Sequence, residues 1–422
     1  MLTRIGLLIV VALAWAFYPA RAAAEGLTAG QLVEIAVEVN PQVRAARAQW
    51  MAAVHSIKQN YAPNDPIFGY ANIDSPTNGF SQASVHTLTV TDSFQFPGKA
   101  LLQAGSARRA ADIAHLAYQA SVRDVRAQTE TAYYQLVLDS ELANVEADNV
   151  ASLKQVLKVT QVAYSANRVT QTDFISAEFD LAAAEQQERQ FHVSKANDET
   201  ALNQLLYRPP GEPLSLDRKL EIEPFKASLD SLIDLATHAR QEILAAALSE
   251  RNSRTALNLA KLEYAPDYTL GYVFDNYLLS SAAPASSGRM QDHGFTIGFN
   301  VPIFFWLKQD ENVKRTGYDL EAARDNLGAI RSQTAAMIAT LYRNDQFAYD
   351  TAMLYRNSLI PLAAQNFQVA TVAYESGKID FVALAGALRR SYDSRTAYLQ
   401  AANQFLAARV ALEQAIGEPL PK

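Results

Sequence analysis

The sequence predicts a mainly α-helical chain with a small β part: long coiled-coil hairpins plus four amphipathic strands. Three observations lead there. The chain repeats itself after about 200 residues. Each copy holds a nearly proline-free stretch far longer than an ordinary helix. Each copy also holds short segments in which apolar and polar residues alternate.

The first element is an address. Met1 to Arg4 is basic, Ile5 to Phe17 is apolar, and Ala22 to Ala24 offers small residues for cleavage. This reads as a secretory signal peptide over 1–24, cut after Ala24. The apolar run falls short of the ~20 residues a spanning helix needs. Removing Arg4 and Arg21 takes the formal charge from −7 to about −9, which argues against a nucleic-acid partner. With 0 Cys, the chain has no disulfide scaffold, thiolate zinc site, Cys nucleophile or lipid-modified Cys. No later stretch is apolar enough for a transmembrane helix.

The duplication fixes the domains. Leu32–Ala36 matches Leu232–Ala236, and Tyr61-Ala62-Pro63 matches Tyr264-Ala265-Pro266. Ala163-Tyr164 with Asn167-Arg168-Val169 matches Ala373-Tyr374 with Gly377-Lys378-Ile379, an offset of about 210. The first repeat is 25–207, the second 227–422, and the proline-rich stretch 208–226 joins them.

Each repeat follows one plan. It opens with a helix, predicted as one continuous seam through Leu32, Ala36, Val39, Val43, Ala46, Trp50, Val54 and Ile57. Thr28 and Gln31 form its capping box, and Pro63 and Pro266 stop the two copies. Two strands follow. Leu88, Val90, Phe94 and Phe96 alternate with Thr87, Thr89, Thr91, Ser93 and Gln95. In the second copy Tyr268, Leu270, Tyr272 and Phe274 form one side of a strand, and Phe295, Ile297, Phe299, Val301 and Ile303 one side of the next. Loops rich in Ser, Pro and Gly, Asp74 to Ser84 and Ser280 to Gln291, join each pair.

Then come the long helices. Lys99 to Tyr164 contains no proline and would be about 100 Å long as one helix. Lys308 to Tyr374 contains only Pro361, which should kink the helix or loosen one turn. Asn167 and Gly377 suit the tight turns that lead to return helices over Thr170–Leu206 and Asp380–Ile416. Four strands cannot close on themselves, so other subunits must complete their edges. Three copies supply twelve strands, an even number suited to an outer-membrane barrel.

The ordered set resembles the TolC family of trimeric outer-membrane efflux proteins. The resemblance rests on the duplicated plan, Asn40–Ala48, the Gln95–Lys99 junction, the Val301–Phe304 junction and the two Tyr-x-x-[Asn/Gly]-basic turns. It covers essentially the whole chain after the signal peptide. It implies a homotrimer whose strands form a 12-stranded outer-membrane barrel and whose helices form a periplasmic α-helical barrel. The implied role is the passive exit duct of a tripartite efflux or secretion system, with a periplasmic adaptor, an inner-membrane pump and outer-membrane lipid as partners. It implies no cofactor.

The same resemblance implies site residues. The adaptor-contacting turns are Tyr164, Asn167, Arg168 and Val169, and Tyr374, Gly377, Lys378 and Ile379. Candidates for a periplasmic gate are Asp173, Tyr374, Lys378 and Asp380, although Ala383 and Gly386 stand where relatives carry acidic rings. The plainer reading of Asp173 and Asp380 is a solvated acid at the positive end of a helix dipole. Phe94, Phe96, Phe304, Phe305 and Trp306 are placed as a membrane-interface girdle, because Lys99 and Lys308 follow directly. Drug, heavy-metal and polypeptide systems share such a duct, and the FPGK junction resembles the members that serve metal-cation pumps.

Six histidines are scattered with no metal-ligand spacing, so no metal site is expected. No GxSxG, HExxH, GxxxxGK[ST] or GxGxxG occurs, and the chain is not expected to be an enzyme. The competing reading is a periplasmic coiled-coil scaffold or adaptor that never spans the membrane. The four strands separate the two, since an adaptor would pair one hairpin with flanking β-domains.

Overall fold

The computed structural model describes residues 26–76, 81–217, 220, 222–281 and 288–420. The signal peptide and its cleavage site lie outside the described residues, as do 77–80 and 282–287 within the strand loops. In chain order the elements are α1 (Ala29–Val39), α2 (Pro41–Tyr61), β1 (Ile67–Pro76), β2 (Ser81–Phe94), α3 (Lys99–Ser165) and α4 (Gln171–Leu205). The second repeat supplies α5 (Leu229–Ala239), α6 (Gln241–Leu262), β3 (Tyr268–Ser281), β4 (Gly288–Phe299), α7 (Gln309–Leu354), α8 (Ile360–Glu375) and α9 (Phe381–Ile416). The chain divides into two compact units. One holds residues up to Ala45, Gln119–Arg240 and Gln333 onward; the other holds Ala46–Tyr118 and Gln241–Ser332.

The opening helix is a correction to the sequence reading. The seam predicted one helix, but the chain breaks at Asn40, whose ψ is 127°. Pro41 disfavours helical geometry at the residue before it. Asn40 turns the break into a fastening: its Oδ1 accepts from Gln42 N–H at 2.8 Å and its Nδ2 donates to Leu205 O at 3.3 Å. The second repeat breaks at the matching place, Arg240, with ψ 120° and no proline after it. Arg240 Nη1 donates to Ala415 O at 2.5 Å. Leu205 ends the last helix of the first repeat, and Ala415 is the penultimate residue of the last helix of the second. The capping box of Thr28 and Gln31 forms as the spacing predicts.

The long helices follow the sequence closely. α3 is continuous over 67 residues. Between α7 and α8 lies a π turn, Tyr355–Leu359, closed by Ile360 N–H donating to Tyr355 O. Pro361 sits in the first turn of α8, so the widened turn accommodates the ring that would strike a regular helix. The expected loosened turn is there.

In the first unit the core is a set of helix seams. Val150, Leu153 and Val156 of α3 meet Ala177 and Ala184 of α4, Ala370 and Tyr374 of α8, and Phe381, Leu384 and Leu388 of α9. Alanines at the contacts let the backbones approach closely. A second cluster gathers Leu232 and Ala236 of α5 with Ile338 of α7 and Leu412 and Ile416 of α9. No helix among the described residues is long and apolar enough to cross a membrane.

The second unit contains the sheet. Its order is β1-β2-β3-β4, antiparallel throughout, leaving β1 and β4 as edges. The register puts Phe68, Val90, Tyr272 and Phe295 in one row across all four strands, and Tyr70, Leu88, Phe274 and His293 in the next row on the same face. The opposite face carries Gly69, Thr89, Val273 and Gly294, and then Ala71, Thr87, Asp275 and Asp292. Two further corrections apply. Phe96 lies beyond β2, and Val301, Ile303 and Phe304–Trp306 lie beyond β4, where Pro302 has no N–H for the ladder.

Candidate functional site

Two sets of residues stand out, one in each unit. In the first unit the two helical hairpins end in turns of the same construction. Asn167 has φ 55° and Gly377 φ 71°. After each, a basic residue's N–H reaches back five residues: Arg168 to Ala163 O and Lys378 to Ala373 O, both at 2.8 Å. These left-handed closures satisfy the last carbonyls of α3 and α8. The return helices are then capped. Thr170 and Asp173 bond reciprocally, with Asp173 accepting from Thr170 N–H at 3.0 Å and from its hydroxyl at 2.9 Å. Asp380 accepts from Ala383 N–H at 2.9 Å.

The two turns border an open groove of about 890 Å³. Val159, Val162, Val169 and Ile379 supply its apolar lining, with Lys158, Arg168, Asp173, Glu375 and Asp380 around them. The duplicated tyrosines have parted. Tyr164 is exposed and stacks on Phe174 at 5.8 Å. Tyr374 is buried in the apolar seam, with its Oη 3.3 Å from Thr160 Oγ1. Asn167, Arg168, Gly377, Lys378 and Asp380 are exposed; Val169, Ile379 and Asp173 are half-buried.

Among the described residues of one chain, no hydrogen bond or ion pair joins the four gate candidates Asp173, Tyr374, Lys378 and Asp380 to one another. Asp173 and Asp380 serve as caps and Tyr374 meets Thr160. Outside the groove the helices leave Phe179, Val372 and Val382 bare, each more than 60% exposed.

In the second unit the sheet has two distinct surfaces. Phe68, Phe295, Ile297 and Phe299 on the aromatic face are strongly exposed, with Phe295 at 82%. On the other face Thr87 Oγ1 donates to Asp275 Oδ1 at 2.6 Å. Glycines there face threonines: a Cβ at Gly69, Gly271 or Gly298 would collide with the hydroxyl of Thr89, Thr296 or Thr269. Below the strands, Phe304, Phe305 and Trp306 are exposed and meet edge-on, at 5.9 Å and 5.3 Å from the indole. Phe94 and Phe96 are half-buried instead, with Phe94 stacked on Tyr268 at 5.4 Å.

Sequence reading missed the fastening at the foot of the strands. Lys99 is buried; its Nζ donates to Asp267 Oδ1 at 2.8 Å and to Ala265 O at 3.0 Å. Phe96 N–H donates to the same Asp267 oxygen at 2.7 Å. Burial opposes ionisation of Asp267, but these donors outweigh it and hold the carboxyl below its usual range. The only signal in the sequence was a lysine directly after a Pro-Gly pair. His86 is engaged with Tyr70, Nδ1 to Oη at 2.8 Å. Among the described residues no three His, Cys, Asp or Glu side chains gather as metal ligands.

Residues 232–418 match the family model described as outer membrane efflux protein. The outer membrane protein TolC of Vibrio cholerae is 22% identical over 397 residues, covering 90% of this chain and 89% of that protein. The cobalt-zinc-cadmium resistance protein CzcC of Cupriavidus metallidurans is 19% identical over 336 residues, 78% of each chain. Among solved structures, the outer-membrane channel OprN superposes with a TM-score of 0.76 at 18% identity, covering 92% of this chain and 89% of that one.

Proposed function

We propose that this chain, an outer-membrane efflux channel of the TolC type, is the exit duct of a tripartite system that carries cargo from an inner-membrane pump to the outside. The sheet is the observation that supports this most directly. Its two edges are open, one face is aromatic and bare, and the other is lined with Thr, Gly and Asp. A sheet with both properties is satisfied when neighbouring copies close it into a barrel, lipid outside and water inside. Three copies supply the twelve strands. A scaffold that stays in the periplasm would expose the aromatic face to water over a large area, which is unfavourable.

In this reading the helix turns receive the adaptor. The groove beside Arg168 and Ile379 offers an apolar floor with charged walls, suited to the tip of a partner's helical hairpin. Tyr164, Asn167, Val169, Gly377 and Lys378 frame it. Asp173, Tyr374, Lys378 and Asp380 would act as gate residues only through neighbouring copies. Transport is passive and no group performs covalent chemistry. The phenylalanines and Trp306 below the strands mark the periplasmic boundary of the outer membrane.

For cargo, likeness to a cobalt-zinc-cadmium resistance protein favours metal cations. The deciding experiment is electron microscopy of the detergent-purified full chain. A threefold hollow rod with a detergent belt at one end is expected. A solid particle without a belt overturns the duct. Cargo is read separately, from zinc and cobalt accumulation in cells lacking the chain; unchanged accumulation overturns the metal assignment.

A further inference from the structure

We propose that Asp139 and Asp198 share one proton and act as a pH-dependent clasp between α3 and α4, tied to the second hairpin through Gln135 and Asn403. The two residues lie about thirty positions before and after the turn at Asn167, so the hairpin sets them opposite each other. Asp139 is 8% exposed. Asp198 Oδ2 is shut off from solvent and has no donor among the described groups. The carboxyl groups are nevertheless within hydrogen-bonding range of each other. Two carboxylates have only acceptors, so such a contact needs a proton on one of them.

The chain of polar groups continues beyond the pair. Gln135 Nε2 donates to Asp139 Oδ1 at 3.4 Å, and Asn403 Nδ2 of α9 donates to Gln135 Oε1 at 3.2 Å. No lysine or arginine among the described residues neutralises the pair. Lys195, one turn earlier on α4, is engaged with Glu199 at 3.8 Å. Arg395 on α9 is engaged with Asp148 at 3.5 Å. Glu146, two turns further along α3, accepts from Asn149 at 3.0 Å and from Tyr392 of α9.

Burial and the neighbouring Asp139 push the Asp198 carboxyl up to about 7, and burial raises Asp139 as well. The pair therefore titrates as a unit close to neutral pH. A carboxyl whose folded pKa is raised stabilises the closed arrangement fully at acid pH. That stabilisation is lost as pH rises through the folded value. Above it, the buried Asp139 and the half-buried Asp198, which borders an open groove beside Gln135, both carry negative charge, and the hairpin loosens at this level.

The test uses the full chain in detergent and two readouts. Infrared difference spectra across pH 5 to 9 should show a protonated-carboxyl carbonyl band that disappears near pH 7. Asp198→Asn and Asp139→Asn should each abolish it, while Asp345→Asn leaves it. Hydrogen exchange of 135–142 and 194–202, corrected for base catalysis, should accelerate by up to about tenfold per pH unit until near 7 and then level off. In Asp198→Asn it should be flat. A band unchanged in both variants, or local exchange independent of pH in the native chain, overturns the clasp. So does exchange that follows added calcium or chelator instead of pH, which would make the pair a cation site.

Discussion

Tyr164 and Tyr374 began as the same residue of one repeat and now do different work. One lies on the surface against Phe174; the other is sealed in the apolar seam beside Thr160. Tyr374→Phe should cost about 1 kcal/mol, the typical worth of one buried hydrogen bond, read by denaturant unfolding. Tyr164→Phe should cost nothing measurable. Asp345 offers a second test. It is 3% exposed on α7 with Oδ1 unpartnered, and burial lifts its carboxyl to about 6 despite the nearby Arg409. Since the folded pKa is raised, its ionisation costs stability as pH climbs from about 4 to 6. Asp345→Asn should remove that part of the pH dependence from thermal unfolding curves and leave the variant the more stable form at pH 7. None of this was legible in the sequence, where Asp345 is one acid among many on a long helix. Which helix face is buried depends on neighbours more than 50 residues away.

At the scale of elements the sequence said more. Periodicity and missing prolines located α3, α4, α7 and α9, and Pro361 announced the widened turn before α8. Pro361→Ala should restore a regular helix there and slow hydrogen exchange over 355–361. The breaks at Asn40 and Arg240 stayed hidden because the apolar spacing runs straight through them. A heptad count registers side-chain polarity and is blind to one extended ψ angle. The helix ends opposite those breaks matter as well. Tyr207 and Gly417 both have positive φ, 53° and 95°. At Gly417 an added Cβ would stand 2.9 Å from Arg240 Cα, whereas at Gly377 it would meet open space. Gly377→Ala should therefore cost about 1 kcal/mol from backbone strain alone, and Gly417→Ala clearly more, by the same unfolding assay.

For the whole molecule, the strand pattern carried the main conclusion. Alternation predicted two unlike faces, and the register delivers them in rows, with Asp275 and Asp292 side by side on the polar one. The turn past Pro302 and the loss of Phe96 from the strand were invisible because alternation continues beyond the last ladder bond. If the polar face lines the lumen, Asp275→Asn should lower the cation preference of the reconstituted channel, measured as a shift in reversal potential. Unchanged selectivity would place that face elsewhere.

The fastenings at Asn40 and Arg240 bear on how such a chain could arise. Each break reaches a carbonyl in the last turn of its own half, Leu205 O in one case and Ala415 O in the other. Each half is thus a loop tied shut on itself. A gene for one half, translated alone and arranged six times about an axis, would meet the same closure conditions as the doubled chain arranged three times. Fusion through 208–226 added alternation between unlike neighbours, and with it the freedom for Tyr164 and Tyr374 to diverge.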